Sequence, residues 1–196
     1  VKWLEAGGAR SIPIPYDADS SLLDDLLGQV NAVLLPGGAA PYLDTVTLLL
    51  DKIVASNHHK KDNFFPVWGT CLGFEFLVQY AAAGGPGTLQ SGFSAENVSL
   101  PLLSVQPVGL YFDVEIYSTV TQLNVTMNNH HSGITPDRFA QDTALSKLWQ
   151  VTSVNTDLHG RPFVSTIEPV DADNFPFYGV QYHPEKNAFE YATYPD

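Results

Sequence analysis

A single cysteine among 196 residues leaves no intrachain disulfide framework to staple the chain, and by itself it does not fix a redox compartment. Cations are scarce as well. Nine Lys+Arg stand against 21 Asp+Glu, a formal net charge of -12, so most of the surface would repel nucleic acid and anionic lipid head groups. Neither a nucleic-acid nor a membrane partner is expected. A polyanionic small molecule would need a locally positive pocket or an acidic medium. No window approaches the roughly 18 uninterrupted apolar residues of a membrane span. The opening VKWLEAGGAR lacks a signal peptide's charged, apolar and cleavage regions in order, so the chain as it stands is expected to be soluble. Also missing are zinc-type Cys/His spacing, a phosphate-cradling GxxxxGK(S/T) loop and a GxGxxG after a strand, and no metal or organic cofactor is expected.

What is present suffices for one core. At 44% hydrophobic, the sequence reads as a single domain over 1–196, with no internal repeat and no low-complexity linker. Val1 to Ala6 reads as helix ended by a left-handed cap at Gly7-Gly8. Ser11 to Pro15 reads as extended, and Ser21 with Asp24 forms a capping-box pattern opening the next helix. Ala32 to Leu35 is a strand ended by Pro36-Gly37-Gly38, and Thr45 to Ser56 carries apolar residues at helical spacing. Phe65 to Trp68 is a strand, Gly69 to Gly73 a tight turn, and Phe74 to Tyr80 an apolar helix. Strand alternating with helix predicts a mostly parallel sheet covered on both faces. Beyond Gly84 to Gly87 the texture changes to short extended segments, Leu100 to Val105, Leu110 to Ile116 and Leu123 to Met127, read as an antiparallel insertion. A brief helix near Ala144 to Leu148 leads to strands at Gln150 to Val154, Phe163 to Ile167 and Phe177 to Tyr182. The triplets Asn97-Val98-Ser99 and Asn124-Val125-Thr126 satisfy the N-glycosylation pattern, which permits a secretory, lysosomal or vacuolar route.

Two segments carry chemistry. Cys71 lies between Gly69 and Gly73 at the join of strand and helix, the thiol counterpart of a nucleophile elbow. That turn presents the sulfur at the C-terminal edge of the sheet, and the helix N-terminus is expected to favour the reactive thiolate. In Val180 to Glu185, alternation along an extended strand puts His183 and Glu185 on one face. One segment thus supplies a base and the carboxylate that orients it.

The order Pro36-Gly37-Gly38, then Gly69-Thr70-Cys71-Leu72-Gly73, then His183-Pro184-Glu185 resembles the class I glutamine amidotransferase superfamily. FPVWGTCLGFE from Phe65, VNTD from Val154, STIEP from Ser165 and YGVQYHPEKNAFEY from Tyr178 to Tyr191 narrow the resemblance to γ-glutamyl hydrolases. The resemblance implies an α/β flavodoxin-like fold, Cys71 as nucleophile, His183 as general base and acid, and Glu185 as third member. It further implies an oxyanion hole from backbone N–H groups of Gly37, Gly38 and Leu72. Its implied substrate is a folyl-poly-γ-glutamate and its implied assembly a homodimer. Glu75 stands where ammonia-feeding amidotransferases usually carry Gln. A carboxylate there suits recognition of an α-amino group, while a helix-surface Glu without a role is the competing reading. His130 corresponds to a further substrate-pocket histidine, with neighbouring His131 as the alternative by a one-residue slip. The family's opening strand and closing helix are expected to lie outside this chain.

Overall fold

The computed structural model describes residues 1–59 and 64–190. In chain order they form α1 (Lys2–Ala6), α2 (Ser20–Leu27), β1 (Val33–Leu35), α3 (Leu43–His59), β2 (Val67–Thr70), α4 (Leu72–Ala81) and β3 (Ala95–Leu100). There follow α5 (Val114–Gln122), β4 (Thr126–His130), α6 (Pro136–Gln141), α7 (Thr143–Leu148), β5 (Trp149–Thr156), β6 (Pro162–Pro169), β7 (Phe177–Val180) and α8 (Lys186–Phe189). The five-stranded sheet has the order β1-β2-β7-β6-β5. β1, β2 and β7 pair in parallel, while β6 runs antiparallel to both β7 and β5, so β6 alone points the other way. The expected mostly parallel α/β sheet is the one that forms.

Alternation along β7 divides the sheet into two faces. Phe177 packs with Phe74, Leu77, Val67, Leu50, Ile53, Ile167 and Trp149 in the main core beneath α3, α4 and α7. Val180 and Tyr182 face the other way, into a smaller core with Leu102, Tyr111 and Trp68, closed by Tyr117 and Val120 of α5. Trp3 of α1 meets Trp68 on that face, ring centroids 5.9 Å apart. Helices therefore cover both faces.

Several local expectations shift. Asp19, not Ser21, caps α2, accepting the Leu22 N–H at 2.9 Å. The left-handed cap expected at Gly7-Gly8 does form, with Gly8 as its left-handed residue at φ 85. The antiparallel insertion is real but smaller. β3 pairs with β4, whereas Leu110 to Ile116 is no strand: Gly109–Tyr111 forms a single 3-10 turn and Val114 opens α5. The cause is Asp113, whose carboxylate accepts the N–H groups of Glu115 and Ile116, satisfying donors that would otherwise be orphaned at a helix start. Leu100 ends β3, and Leu103 keeps only an isolated bridge to Val154. Leu123 ends α5 instead of starting β4. β7 stops at Val180, short of the predicted Tyr182. Tyr191, last residue of the Tyr178 motif, lies outside the described residues.

Candidate active site

Three strand ends converge at the C-terminal edge of the parallel strands. β1 leads into Pro36-Gly37-Gly38, β2 into Cys71, and β7 into His183. Cys71 has φ 51 and ψ -106, a region costly for any residue with a Cβ. Tight packing holds it there. Its N–H donates to the Val180 carbonyl at 2.8 Å and its own carbonyl accepts the Glu75 N–H at 2.9 Å. A Cβ on Gly73 would lie 2.1 Å from the Leu35 carbonyl oxygen, and one on Gly69 2.7 Å from the backbone of Gly73. Only glycines let the elbow press against β1 so closely.

Gly37 sits between the two reactive side chains. A methyl group there would lie 2.4 Å from His183 Cε1, and 3.2 Å from both Cys71 Cβ and His183 Nδ1. His183 is 6% exposed, and its N–H donates to Met127 O at 2.7 Å, anchoring the segment to β4. His183 Nδ1–H donates to Glu185 Oε1 at 2.7 Å, which leaves Nε2 as the ring nitrogen free to accept a proton. Strand alternation is not what brings this pair together. His183 forms only an isolated bridge, and Glu185, at φ -78 and ψ -26, lies in the turn that begins α8. Burial raises the Glu185 carboxyl, but the His183 hydrogen bond, its own N–H and the charges of His183 and Lys186 outweigh it and hold the pKa below the usual value.

The thiol departs from expectation. Burial first, then the neighbouring Glu75 charge, push the Cys71 pKa up to about 12; the Leu72 N–H and Lys186 pull the other way without prevailing. The helix N-terminus is thus outweighed by desolvation, and the resting group is a thiol. A thiol in this state becomes a nucleophile only if a base takes its proton. The Leu72 N–H lies beside the sulfur, and Gly37 lies beside both Cys71 and His183. Tyr42 Oη–H donates to Pro36 O at 2.9 Å and steadies that turn.

Glu75 is no surface carboxylate. It is 8% exposed, burial raises its pKa, and its Oε1 accepts from Gln181 Nε2 at 3.1 Å. His130 and His131 are separated cleanly. His131 is exposed and pairs with Glu96 at 2.6 Å. His130 is 4% exposed, with its ring edge-on to Phe163 at 4.8 Å. His130 Nδ1–H donates to Ser132 O at 2.8 Å, and Nε2 has no partner. Burial lowers its pKa to about 4, so the ring is neutral. Asn97 and Asn124 are both exposed. Sequence reasoning missed Gln181 and the Asn129 carbonyl, 4.0 Å from Cys71 Sγ. Gln181 carried a signal, standing two residues before His183 on the same strand face. Asn129 carried none, because its backbone acts. Among the described residues no cluster of His, Cys, Asp and Glu is arranged to hold a metal ion.

A cysteine at a strand-to-helix elbow, with an imidazole oriented by a carboxylate packed against the same glycine, is an arrangement found in thiol-dependent acyl-transfer enzymes on an α/β sheet. The chain belongs to the glutamine amidotransferase class-I family, whose profile matches residues 2–194. It is 34% identical to γ-glutamyl hydrolase B of Dictyostelium discoideum over 97% of this chain and 56% of that protein. It is 34% identical to mouse γ-glutamyl hydrolase over 97% of this chain and 61% of that one. γ-Glutamyl hydrolase 2 of Arabidopsis thaliana is 31% identical over 98% and 56%. The chain thus spans somewhat over half the length of these curated relatives. Among solved structures it resembles the glutaminase domain of Trypanosoma brucei CTPS with bound acivicin, with TM-score 0.58 and 18% identity over 93% of this chain and 76% of that one. A glutamine amidotransferase of Thermotoga maritima gives TM-score 0.53 and 14% identity over 89% and 60%. These likenesses show the fold.

Proposed function

We propose that the protein hydrolyses γ-linked glutamyl peptide bonds, with folyl- and antifolyl-poly-γ-glutamates as substrates, through a cysteinyl thioester. The observation that carries this reading is the packing of Cys71 and the Glu185-oriented His183 around Gly37. The similarity to named γ-glutamyl hydrolases supports the bond type.

His183 Nε2 takes the thiol proton as sulfur attacks the γ-carbonyl carbon. The carbonyl π pair moves onto oxygen, where the N–H groups of Leu72 and the Gly37-Gly38 turn receive it. Collapse of the tetrahedral adduct breaks the C–N bond, and the imidazolium returns its proton to the leaving amine. Glu185 stabilises that imidazolium and keeps Nε2 facing the reaction. Water, deprotonated by His183, then attacks the thioester and releases a γ-carboxylate and the thiol. Glu75 and His130 are assigned to the substrate pocket, Glu75 as an acceptor for the substrate's α-nitrogen. A lysosomal, vacuolar or secreted location, glycans on Asn97 or Asn124 and a homodimer complete the reading; no nucleic acid or membrane takes part. The described residues contain no helix long and apolar enough to cross a membrane.

The test is mass-spectrometric analysis of a folate pentaglutamate incubated with the protein at acidic and neutral pH, beside Cys71→Ala and a free-glutamine control. Shortened folates from the parent but not from Cys71→Ala are expected. The fold likeness to a glutaminase domain favours a second reading, in which ammonia appears from glutamine and folates stay intact. A cooperatively melting protein that forms neither product would leave a binding role only.

A further inference from the structure

Glu75 and Gln181 meet from the two segments that carry the reacting groups. Glu75 is four residues beyond Cys71 on α4, and its N–H donates to the Cys71 carbonyl at 2.9 Å. Gln181 is two residues before His183, just past the end of β7. Their side chains join at 3.1 Å, Gln181 Nε2 donating to Glu75 Oε1, with Gln181 0% and Glu75 8% exposed. Gln181 is the donor that opposes burial at the Glu75 carboxylate. Gln181 itself lacks slack: its N–H donates to Ser165 O at 2.9 Å, and Gly133 lies close to its amide oxygen, which has no hydrogen-bonding partner. A fully buried amide with one end committed to a carboxylate and the other unpaired is costly, because desolvation of the orphan oxygen is not recovered. A hydrocarbon side chain of similar volume would fill the same space without that cost.

We infer that Gln181 is a positioning residue: it holds the Glu75 carboxylate in its charged form beside Cys71 and so sets the charge against which the thiol must ionise. The inference rests on Cys71 being the nucleophile and deepens that reading, without depending on which γ-glutamyl substrate is cleaved.

The logic is electrostatic. Burial alone drives Glu75 towards its neutral form, and the Gln181 donor opposes this. A charged Glu75 raises the cost of a thiolate at Cys71. Gln181 therefore acts on the sulfur only through Glu75. Other titratable groups around the pair are Tyr42 before α3, His130 at the end of β4, His183, Glu185 and Lys186; of these Lys186 favours the thiolate and Glu185 opposes it. None of them bonds to Gln181.

Because Cys71 is the only cysteine, its alkylation by iodoacetamide reports one site and needs no substrate. In the parent, the rise of log rate with pH should lag by about tenfold across the interval in which Glu75 ionises, the size expected for one nearby charge. Gln181→Met should move that interval to higher pH, and Glu75→Gln should abolish it. Adding Gln181→Met to Glu75→Gln should change nothing further. The exchanged pair, Glu75→Gln with Gln181→Glu, should restore the lag by reversing donor and acceptor. If Gln181→Met changes the rate by the same factor with and without Glu75, Gln181 acts by packing and the inference is overturned. The exchanged pair decides the matter alone if Gln181→Met does not melt cooperatively: a flat profile there overturns it too. Absence of folate cleavage would sink the substrate assignment and leave this test unaffected.

Discussion

Two buried carboxylates stand on opposite faces of the same sheet, and each environment leaves one buried oxygen without a partner, Gln181 Oε1 beside Glu75 and Oε1 of Glu168 itself. Glu75 lies on the α4 face, bonded to a side chain whose other end is orphaned, with Cys71 one helical turn away. Glu168 lies on the face of the smaller core, 3% exposed, and its Oε2 accepts the Leu110 N–H at 3.1 Å. Around Glu168 the hydroxyls close on one another: Tyr111 Oη meets Thr166 Oγ1 at 2.6 Å and Tyr182 Oη at 3.0 Å, and Ser153 Oγ–H donates to Thr166 at 2.7 Å. One carboxylate raises the cost of ionising Cys71. The other ties the segment before α5 to β6. Burial raises both pKa values, so the same desolvation serves reactivity on one face and attachment on the other.

The comparison is tested most severely at the elbow. Cys71→Ala should lower γ-glutamyl hydrolysis by a thousandfold or more, measured as kcat/KM, while the cooperative melt survives. Cys71→Gly should be equally inactive yet more stable than Cys71→Ala, by about 1 kcal/mol in urea unfolding, because glycine accepts φ 51 without a Cβ penalty. Equal stabilities would mean that the elbow stores no strain. Two neighbouring glycines separate chemistry from folding. Gly37→Ala pushes on the His183 ring and not on backbone, and should cost on the order of a hundredfold in kcat with the fold kept. Gly73→Ala pushes on the Leu35 backbone and should cost about 3 kcal/mol or more of stability. Folded, inactive Gly73→Ala would reverse that division.

His130 sharpens the comparison through pH. Its folded pKa of about 4 lies below the ordinary 6.5, with burial the leading cause. A group depressed in this way contributes stability above its unfolded pKa and loses it as pH falls through the folded one. Between pH 7 and pH 4 the loss from this ring should reach about 3 kcal/mol. His130→Gln should flatten that part of the urea-midpoint curve. An unchanged acid slope would show that His130 is protonated at no cost.

How much of this could be read beforehand follows from locality. The alternation from β1 through α4 was legible because the strand runs are short and meet Pro36 and Gly69, and Cys71 between Gly69 and Gly73 announced the elbow. Leu110 to Ile116 misled because its apolar and β-branched residues fit a strand, while a single Asp113 carboxylate decides for helix and leaves Phe112 80% and Val114 79% exposed. The His183–Glu185 pairing was anticipated for the wrong reason, since a turn and not strand alternation delivers it. The state of the thiol was misjudged because helix-dipole reasoning is local, whereas the burial that outweighs it belongs to the whole fold.

The smallest effect is expected at Glu168, and its sign separates the two carboxylates' environments. Its raised folded pKa means that its contribution to stability is fully present below the unfolded value near 4.5 and is lost as pH rises through the folded value. At pH 8 the buried side chain is therefore a charge held by the Leu110 N–H with the Thr152 hydroxyl nearby, and Glu168→Gln removes the charge while keeping an amide oxygen for Leu110. The variant should melt a few degrees higher than the parent at pH 8 and match it near pH 4.5, by thermal unfolding at the two pH values. A lower melting temperature at pH 8 would mean that the charge-assisted bond to Leu110 outweighs desolvation. Glu168 would then be a latch that needs its charge, as Glu75 needs its own beside Cys71.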